Sequence, residues 1–250
     1  QKELKEKLPP NVYCYTSHGL GNGGIKRKYK DAELDEFKMD KIISEKARKW
    51  DLSDFGFEEE LEQYLSSIKR LASLCKLTLT TQKKKIPMLA DKYSIKLFNA
   101  KDINRVLSVL EASLNDKKTY DFDDMVFLPA IDPKIWLFPQ DYVLVDEDQD
   151  MNRAQQEIVK KILKRDRKTG KIIGKLIAVG DKHQAIYGFS GSDVNSFEWF
   201  RNFPNTVTLP LTTTFRCSKE VVKHANDLVP NLKAMKSAKN GVVKNGDVLE

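Results

Sequence analysis

No stretch of this 250-residue chain reaches the roughly eighteen apolar residues that a membrane-crossing helix needs. The N-terminus, Gln1-Lys2-Glu3-Leu4-Lys5, has no apolar signal core and does not begin with methionine, so the chain is expected to start inside a longer one. Cysteine is scarce. Cys14, Cys75 and Cys217 stand apart without paired spacing, which argues against a disulfide framework or a zinc site and fits a reducing compartment. A phosphate-gripping G-x-x-x-x-G-K-[ST] loop is also missing. The run Gly19-Leu20-Gly21-Asn22-Gly23-Gly24 lacks the Lys-Ser/Thr pair, and Gly170 to Leu176 has the wrong spacing and leads into a strand. There is no internal repeat and no low-complexity tract.

What remains is the composition of a globular chain, 40% hydrophobic and 32% charged. With 43 Lys and Arg against 36 Asp and Glu, the net charge of +7 admits an anionic partner, nucleic acid foremost.

Along the chain, Val12-Tyr13-Cys14-Tyr15-Thr16 reads as a short strand ending in a flexible, glycine-dense turn from Ser17 to Gly24. From about Ile25 to Lys118, apolar residues recur at three- and four-residue spacing, as in Leu61, Tyr64, Leu65, Ile68, Leu71, Ala72 and Cys75. That block predicts amphipathic helices, continued by Asp102 to Leu110. Strand-and-helix alternation then follows. Tyr142-Val143-Leu144-Val145 is of buried-strand type, a helix runs from about Arg153 to Lys164, and Leu176-Ile177-Ala178-Val179 is a second apolar strand. Val207-Thr208-Leu209 is a third candidate strand, and Ser218 to Leu228 reads as a helix. Such alternation implies an α/β fold with a parallel sheet and function at the strands' carboxyl ends, the helical block being an insertion.

Three segments carry candidate chemistry. Asp146-Glu147-Asp148-Gln149-Asp150 ends the first apolar strand, where one carboxylate can hold Mg²⁺ and a second can activate water for phosphoryl transfer. The alternative is an acidic turn whose Asp caps the next helix. Gly180 to Asp193 follows the second apolar strand and contains Gln184, placed to meet a phosphate, and Tyr187 and Phe189, whose rings suit base stacking or a buried plug. Thr213-Thr214-Phe215-Arg216-Cys217-Ser218 opens a helix with an arginine that could neutralise phosphate charge or simply face solvent.

Taken together, in order and in spacing, these segments resemble the motifs of the UvrD/Rep helicase family: D-E-x-Q-D, then G-D-x-x-Q-S-I-Y-x-F/W-R-G-A-D, then Y-R-S. Thr16-Ser17-His18-Gly19-Leu20-Gly21 is similar to the family's T-x-H-S-L-G, and Tyr120-Asp121-Phe122-Asp123-Asp124-Met125 to its D-F-D-D-L. The resemblance runs from about residue 1 to residue 228.

The resemblance implies a RecA-like P-loop NTPase domain at 1–24 and about 119–206, a helical subdomain inserted at 25–118, and the start of a second RecA-like domain at 207–250. It implies ATP and Mg²⁺ as cofactors, with Asp146 holding Mg²⁺, Glu147 as general base, and Gln149 and Gln184 sensing the γ-phosphate. Arg216 would be the arginine finger and Phe215 would lie against adenine. Thr16, His18, Tyr187 and Phe189 would contact single-stranded DNA, whether free or at single/double-strand junctions. Asp123 and Asp124 carry no assigned chemistry and are expected to cap a helix. The parent would be a 3′-to-5′ DNA helicase or translocase, located in cytoplasm, or in the nucleus of a eukaryote. Its phosphate loop would lie upstream of Gln1 and its later motifs beyond Glu250, leaving this piece inactive alone. Ser190 where the family has Arg, and Ala185 and Cys217 where it has Ser, are departures. A degenerate binding module without ATP chemistry is the second reading, and a nuclease using the acidic cluster a third.

Overall fold

The computed structural model describes residues 6–53, 55–185, 195–211, 221–223 and 227. The chain forms two compact units, Gln1–Phe200 and Arg201–Glu250.

The first unit opens with helix α1, Ser17–Lys28, which occupies the stretch expected to be a flexible turn. Thr16 is its N-cap, its hydroxyl accepting from the Gly19 amide at 3.0 Å. Glycine disfavours a helix interior by about 1 kcal/mol per residue relative to alanine, so this helix depends on tertiary packing. That packing is against α6, Phe122–Ile131, which contains Pro129. Lacking an N–H, Pro129 cannot bond the carbonyl four residues back, that of Met125. The backbone of α1 sits directly against that carbonyl: a Cβ added to Gly21 would lie 1.7 Å from Met125 O. A Cβ on Gly24 would meet Leu137 and Ile135 at 2.8 and 2.9 Å. The glycines permit a close helix–helix approach; they do not make a turn. The expected strand at Val12–Thr16 is absent, and Val12, Tyr13 and Tyr15 lie exposed in non-regular backbone.

Two apolar clusters follow. One is helical, built from α2 (Lys38–Ala47), α3 (Glu58–Leu77), α4 (Ile86–Lys92) and α5 (Lys101–Asn115), and it buries Met39, Ile68, Leu71, Cys75, Ile86, Val106 and Val109 among others. Helix α3 shows why: Glu58, Glu59 and Glu60 face the positive end of the helix dipole, and its apolar stripe repeats every three or four residues. The other cluster gathers Ile25 of α1 with Tyr120, Met125, Phe127, Leu128 and Ile135. Helix α1 runs on past Gly24 to Lys28. Entry to and exit from the helical block come together at a parallel pair, β1 (Glu33–Leu34) on β2 (Thr119–Tyr120).

Beyond α6 come β3 (Tyr142–Asp146), α7 (Arg153–Ile162) and β4 (Lys175–Val179). Strands β3 and β4 pair in parallel from Tyr142↔Lys175 to Asp146↔Val179. The fold is thus α/β, with two two-stranded parallel sheets among the described residues. The strands are less covered than a near-continuous apolar run implies. Val143 is 7% exposed but Leu144 is 71%, and Tyr142, Ile177 and Val179 share its exposure. Alternate residues of a strand face opposite ways, so one face is packed and the other is open.

In the second unit, Val207 and Leu209 are exposed and form no strand, contrary to expectation. Residues 221–223 and 227 are helical, as the pattern predicts.

Candidate functional site

The register of β3 and β4 sets the ends of both strands side by side, so the segments after Asp146 and Val179 leave the same edge of the sheet. Directly after β3, Glu147 adopts left-handed backbone, φ 53 and ψ 48, which few non-glycine residues do. The chain tightens into a 3-10 turn, Asp148–Asp150, and Asn152 then caps α7 through a capping box with Gln155. Asp146 and Glu147 are exposed, whereas Asp148 and Gln149 are buried.

Gln149 is the centre of this edge. Its Nε2 donates to Glu147 Oε2 at 2.7 Å, and its Oε1 accepts from the Asp181 amide at 3.0 Å. Asp181 in turn caps the 3-10 turn Lys182–Gln184 by accepting from the His183 amide at 2.9 Å, and it accepts from Gln184 Nε2 at 3.1 Å. A continuous chain of hydrogen bonds therefore runs Glu147–Gln149–Asp181–Gln184. Close approach makes it possible: a Cβ on Gly180 would stand 2.1 Å from Asp148 Oδ1 and 2.4 Å from Gln149 Oε1.

Asp148 is pushed up to about 6 by its burial and by the charge of Glu147 beside it. Asp150 is raised for the same two reasons. Each leaves its Oδ1 buried without a hydrogen-bond partner. Two exposed carboxylates at a strand end, Asp146 and Glu147, are the hard oxygen donors that suit Mg²⁺, which takes one or two carboxylates and keeps several waters. Among the described residues, no group of three or more His, Cys, Asp or Glu is arranged to hold a metal by itself.

Thr16 and His18 lie at the start of α1, and no hydrogen bond joins them to this edge among the described residues. Thr16 is exposed and its hydroxyl is engaged as a cap; burial lowers the imidazole of His18 from its ordinary value. Tyr187, Phe189, Phe215 and Arg216 lie outside the described residues, as does Ser190.

Sequence reasoning missed two things. Asp181 lies in the segment from Gly180 to Asp193, yet nothing in its spacing signals that it joins two glutamines. Of the expected capping pair, Asp124 does enter a capping box, but its partner and N-cap is Asp121, not Asp123. Asp121 and Asp124 also meet Lys76 of α3 and Lys38 of α2 in a buried charge cluster, a contact between residues far apart in sequence.

The domain is thus α/β, and its strand ends present acidic and glutamine side chains in one bonded array. Residues 1–205 fit the UvrD/REP helicase N-terminal domain, and the chain belongs to that family. Among curated relatives, it is 31% identical over 140 residues to the ATP-dependent DNA helicase UvrD1 of Mycobacterium tuberculosis, covering 52% of this chain and 18% of that protein. It is 33% identical over 135 residues to the ATP-dependent DNA helicase Rep of Buchnera aphidicola, covering 51% and 19%. It is 30% identical over 137 residues to the ATP-dependent DNA helicase PcrA of Bacillus subtilis, covering 52% and 18%. The matched stretch spans less than a fifth of the length of these relatives. Among the described residues no helix is long and apolar enough to cross a membrane.

Proposed function

We propose that this chain carries part of the ATP-hydrolysing and strand-contacting machinery of an ATP-dependent DNA helicase that tracks single-stranded DNA in the 3′-to-5′ direction. The observation that carries this reading is the Glu147–Gln149–Asp181–Gln184 chain of hydrogen bonds. It joins a candidate general base to a candidate phosphate sensor across two strand ends, as coupled hydrolysis requires. In this reading 1–24 and 119–206 contribute to a RecA-like motor domain, 25–118 are its helical insert, and 207–250 begin a second such domain.

Glu147 deprotonates or orients the attacking water, and Gln149 holds its carboxylate by donating to Oε2. Asp146 would hold Mg²⁺, which would supply positive charge against the phosphates. Gln184, held by Asp181, senses the terminal phosphate, and Arg216 and Phe215 are assigned to the nucleotide. Thr16, His18, Tyr187 and Phe189 meet the DNA strand, where stacking contributes about 1–3 kcal/mol per base and is indifferent to sequence. The chain itself holds no G-x-x-x-x-G-K-[ST] loop, so its turnover of ATP in isolation is expected to be weak.

The test is ATP turnover by the full natural chain, with and without oligo(dT), beside its Glu147→Gln variant. DNA-stimulated turnover that disappears in the variant supports the reading. A folded natural chain that binds oligo(dT) without any turnover overturns it in favour of a binding module.

A further inference from the structure

At the neck where the helical block joins the rest of the unit, four charged side chains are buried together. Lys38 and Asp124 are each 1% exposed, Lys76 is fully buried, and Asp121 is nearly so. Lys38 Nζ donates to Asp124 Oδ2 at 2.7 Å, to the Thr119 carbonyl at 2.9 Å and to the Ser113 carbonyl at 3.0 Å. All three ammonium protons are thereby used. Lys76 Nζ donates to Asp121 Oδ2 at 2.8 Å and lies at ion-pair distance, 2.8 Å, from Asp124 Oδ1. The two carboxylates are also bound to the backbone as the capping box of α6: the Asp124 amide donates to Asp121 Oδ1 at 2.7 Å and the Asp121 amide to Asp124 Oδ2 at 3.2 Å.

These charges are balanced, two against two. Burial works against the ammonium of Lys76, yet Asp124 and Asp121 outweigh it and leave its pKa above the ordinary value. A hydrophobic plug of similar volume would hold two elements together at least as well, because desolvating ions is costly. What a plug would not do is fix register. The two lysines reach five oxygens on α5, β2 and the start of α6, four of them through directional hydrogen bonds.

Helix α6 leads from this cluster to the functional segments. Its flank carries α1 through the Gly21 contact with Met125 O, and Lys161 of α7, the helix following Asp150, donates to the carbonyls of Pro129 and Asp132 at its far end. We propose that Lys38 and Lys76 are positioning residues: through Asp121 and Asp124 they set the orientation of α6, and thereby of α1 with Thr16 and His18, relative to the helical block. The block and the strand-contact helix then move as one body. The inference rests on the reading of α1 as a strand-contact element, and its test separates the two.

The variant is Lys38→Met combined with Asp124→Asn. It removes one charge of each sign, leaves the Lys76–Asp121 pair, and keeps an oxygen to accept from the Asp121 amide. Far-UV circular dichroism reports folding, hydrogen exchange reports α1, and fluorescence anisotropy of labelled oligo(dT) reports strand contact. With the fold retained, exchange of the α1 amides is expected to accelerate about tenfold, and oligo(dT) affinity to fall about fivefold. A folded variant whose α1 exchanges at the wild-type rate overturns the proposal. Accelerated exchange in a protein whose wild type does not bind oligo(dT) supports the positioning role and removes the strand-contact reading instead. Should the double variant not fold, Lys38→Gln, which leaves every carboxylate in place, carries the same exchange measurement, with an unchanged rate again overturning the proposal.

Discussion

Gly21 and Pro129 are complementary. Pro129 deprives the Met125 carbonyl of its helical donor, and Gly21, without a side chain, lets the backbone of α1 lie against that oxygen. Alanine at 21 would place a Cβ 1.7 Å from the oxygen, so α1 must move. Helix propensity would favour the substitution by about 1 kcal/mol, but backbone cannot give way as a side-chain tip can. We expect Gly21→Ala to lower stability by about 1–3 kcal/mol in urea titrations. A variant as stable as wild type would show that the two helices are not in this contact.

Thr16 can be asked whether it caps, contacts DNA, or does both. Its hydroxyl accepts from the Gly19 amide. Thr16→Ser keeps that oxygen and Thr16→Ala loses it, at about 1 kcal/mol. Stability and oligo(dT) affinity both retained in the serine variant, and both reduced in the alanine variant, fit a cap that also holds the contact helix in place. An affinity loss in the serine variant at full stability assigns the methyl group to the strand.

Gln149 holds Glu147 from one side and Asp181 from the other. Gln149→Leu, similar in size and unable to do either, should leave the side chain of Glu147 free to rotate. In the natural protein, ATP turnover is expected to drop about 100-fold through misplacement of the base, with nucleotide affinity nearly unchanged. Equal losses in both would make Gln149 a binding residue.

Asp148 predicts a pH dependence. Its folded pKa of about 6 lies above the ordinary 3.8, because burial and then Glu147 disfavour its charge. The folded state therefore holds the proton more tightly. The stabilisation is full below 3.8 and is lost as pH rises through about 6. Asp148→Asn removes this titration. Thermal midpoints of wild type and variant should diverge between about pH 4 and pH 6 in favour of the variant, then run parallel. A constant difference across that range would place the carboxylate in contact with water.

The parts legible in advance were those written locally. The stripe Tyr64, Ile68, Leu71, Ala72, Cys75 repeats at helical spacing and became the buried side of α3. The acidic and glutamine segments stand directly after apolar runs, so their strand-end placement could be read before any coordinates. The illegible parts depend on distant partners. Glycines at 21 and 24 signal a turn until one knows that Met125 O, Ile135 and Leu137 press against them. Lys38 and Lys76 look like solvated helix residues until Asp121 and Asp124 arrive from far along the chain. Leu144 and Ile177 read as core because apolar residues in a strand say how much surface they shun, not whether anything is there to cover it.

With Glu147 as the proposed general base, its left-handed backbone sets selection for stability against selection for chemistry. A side chain with a Cβ is strained there by about 1 kcal/mol, and glycine is not. Glu147→Gly should thus melt higher than wild type while ending hydrolysis. In any lineage where the reaction ceased to matter, nothing would oppose that change, so a glycine at this position in a kindred sequence would be the trace of an abandoned motor.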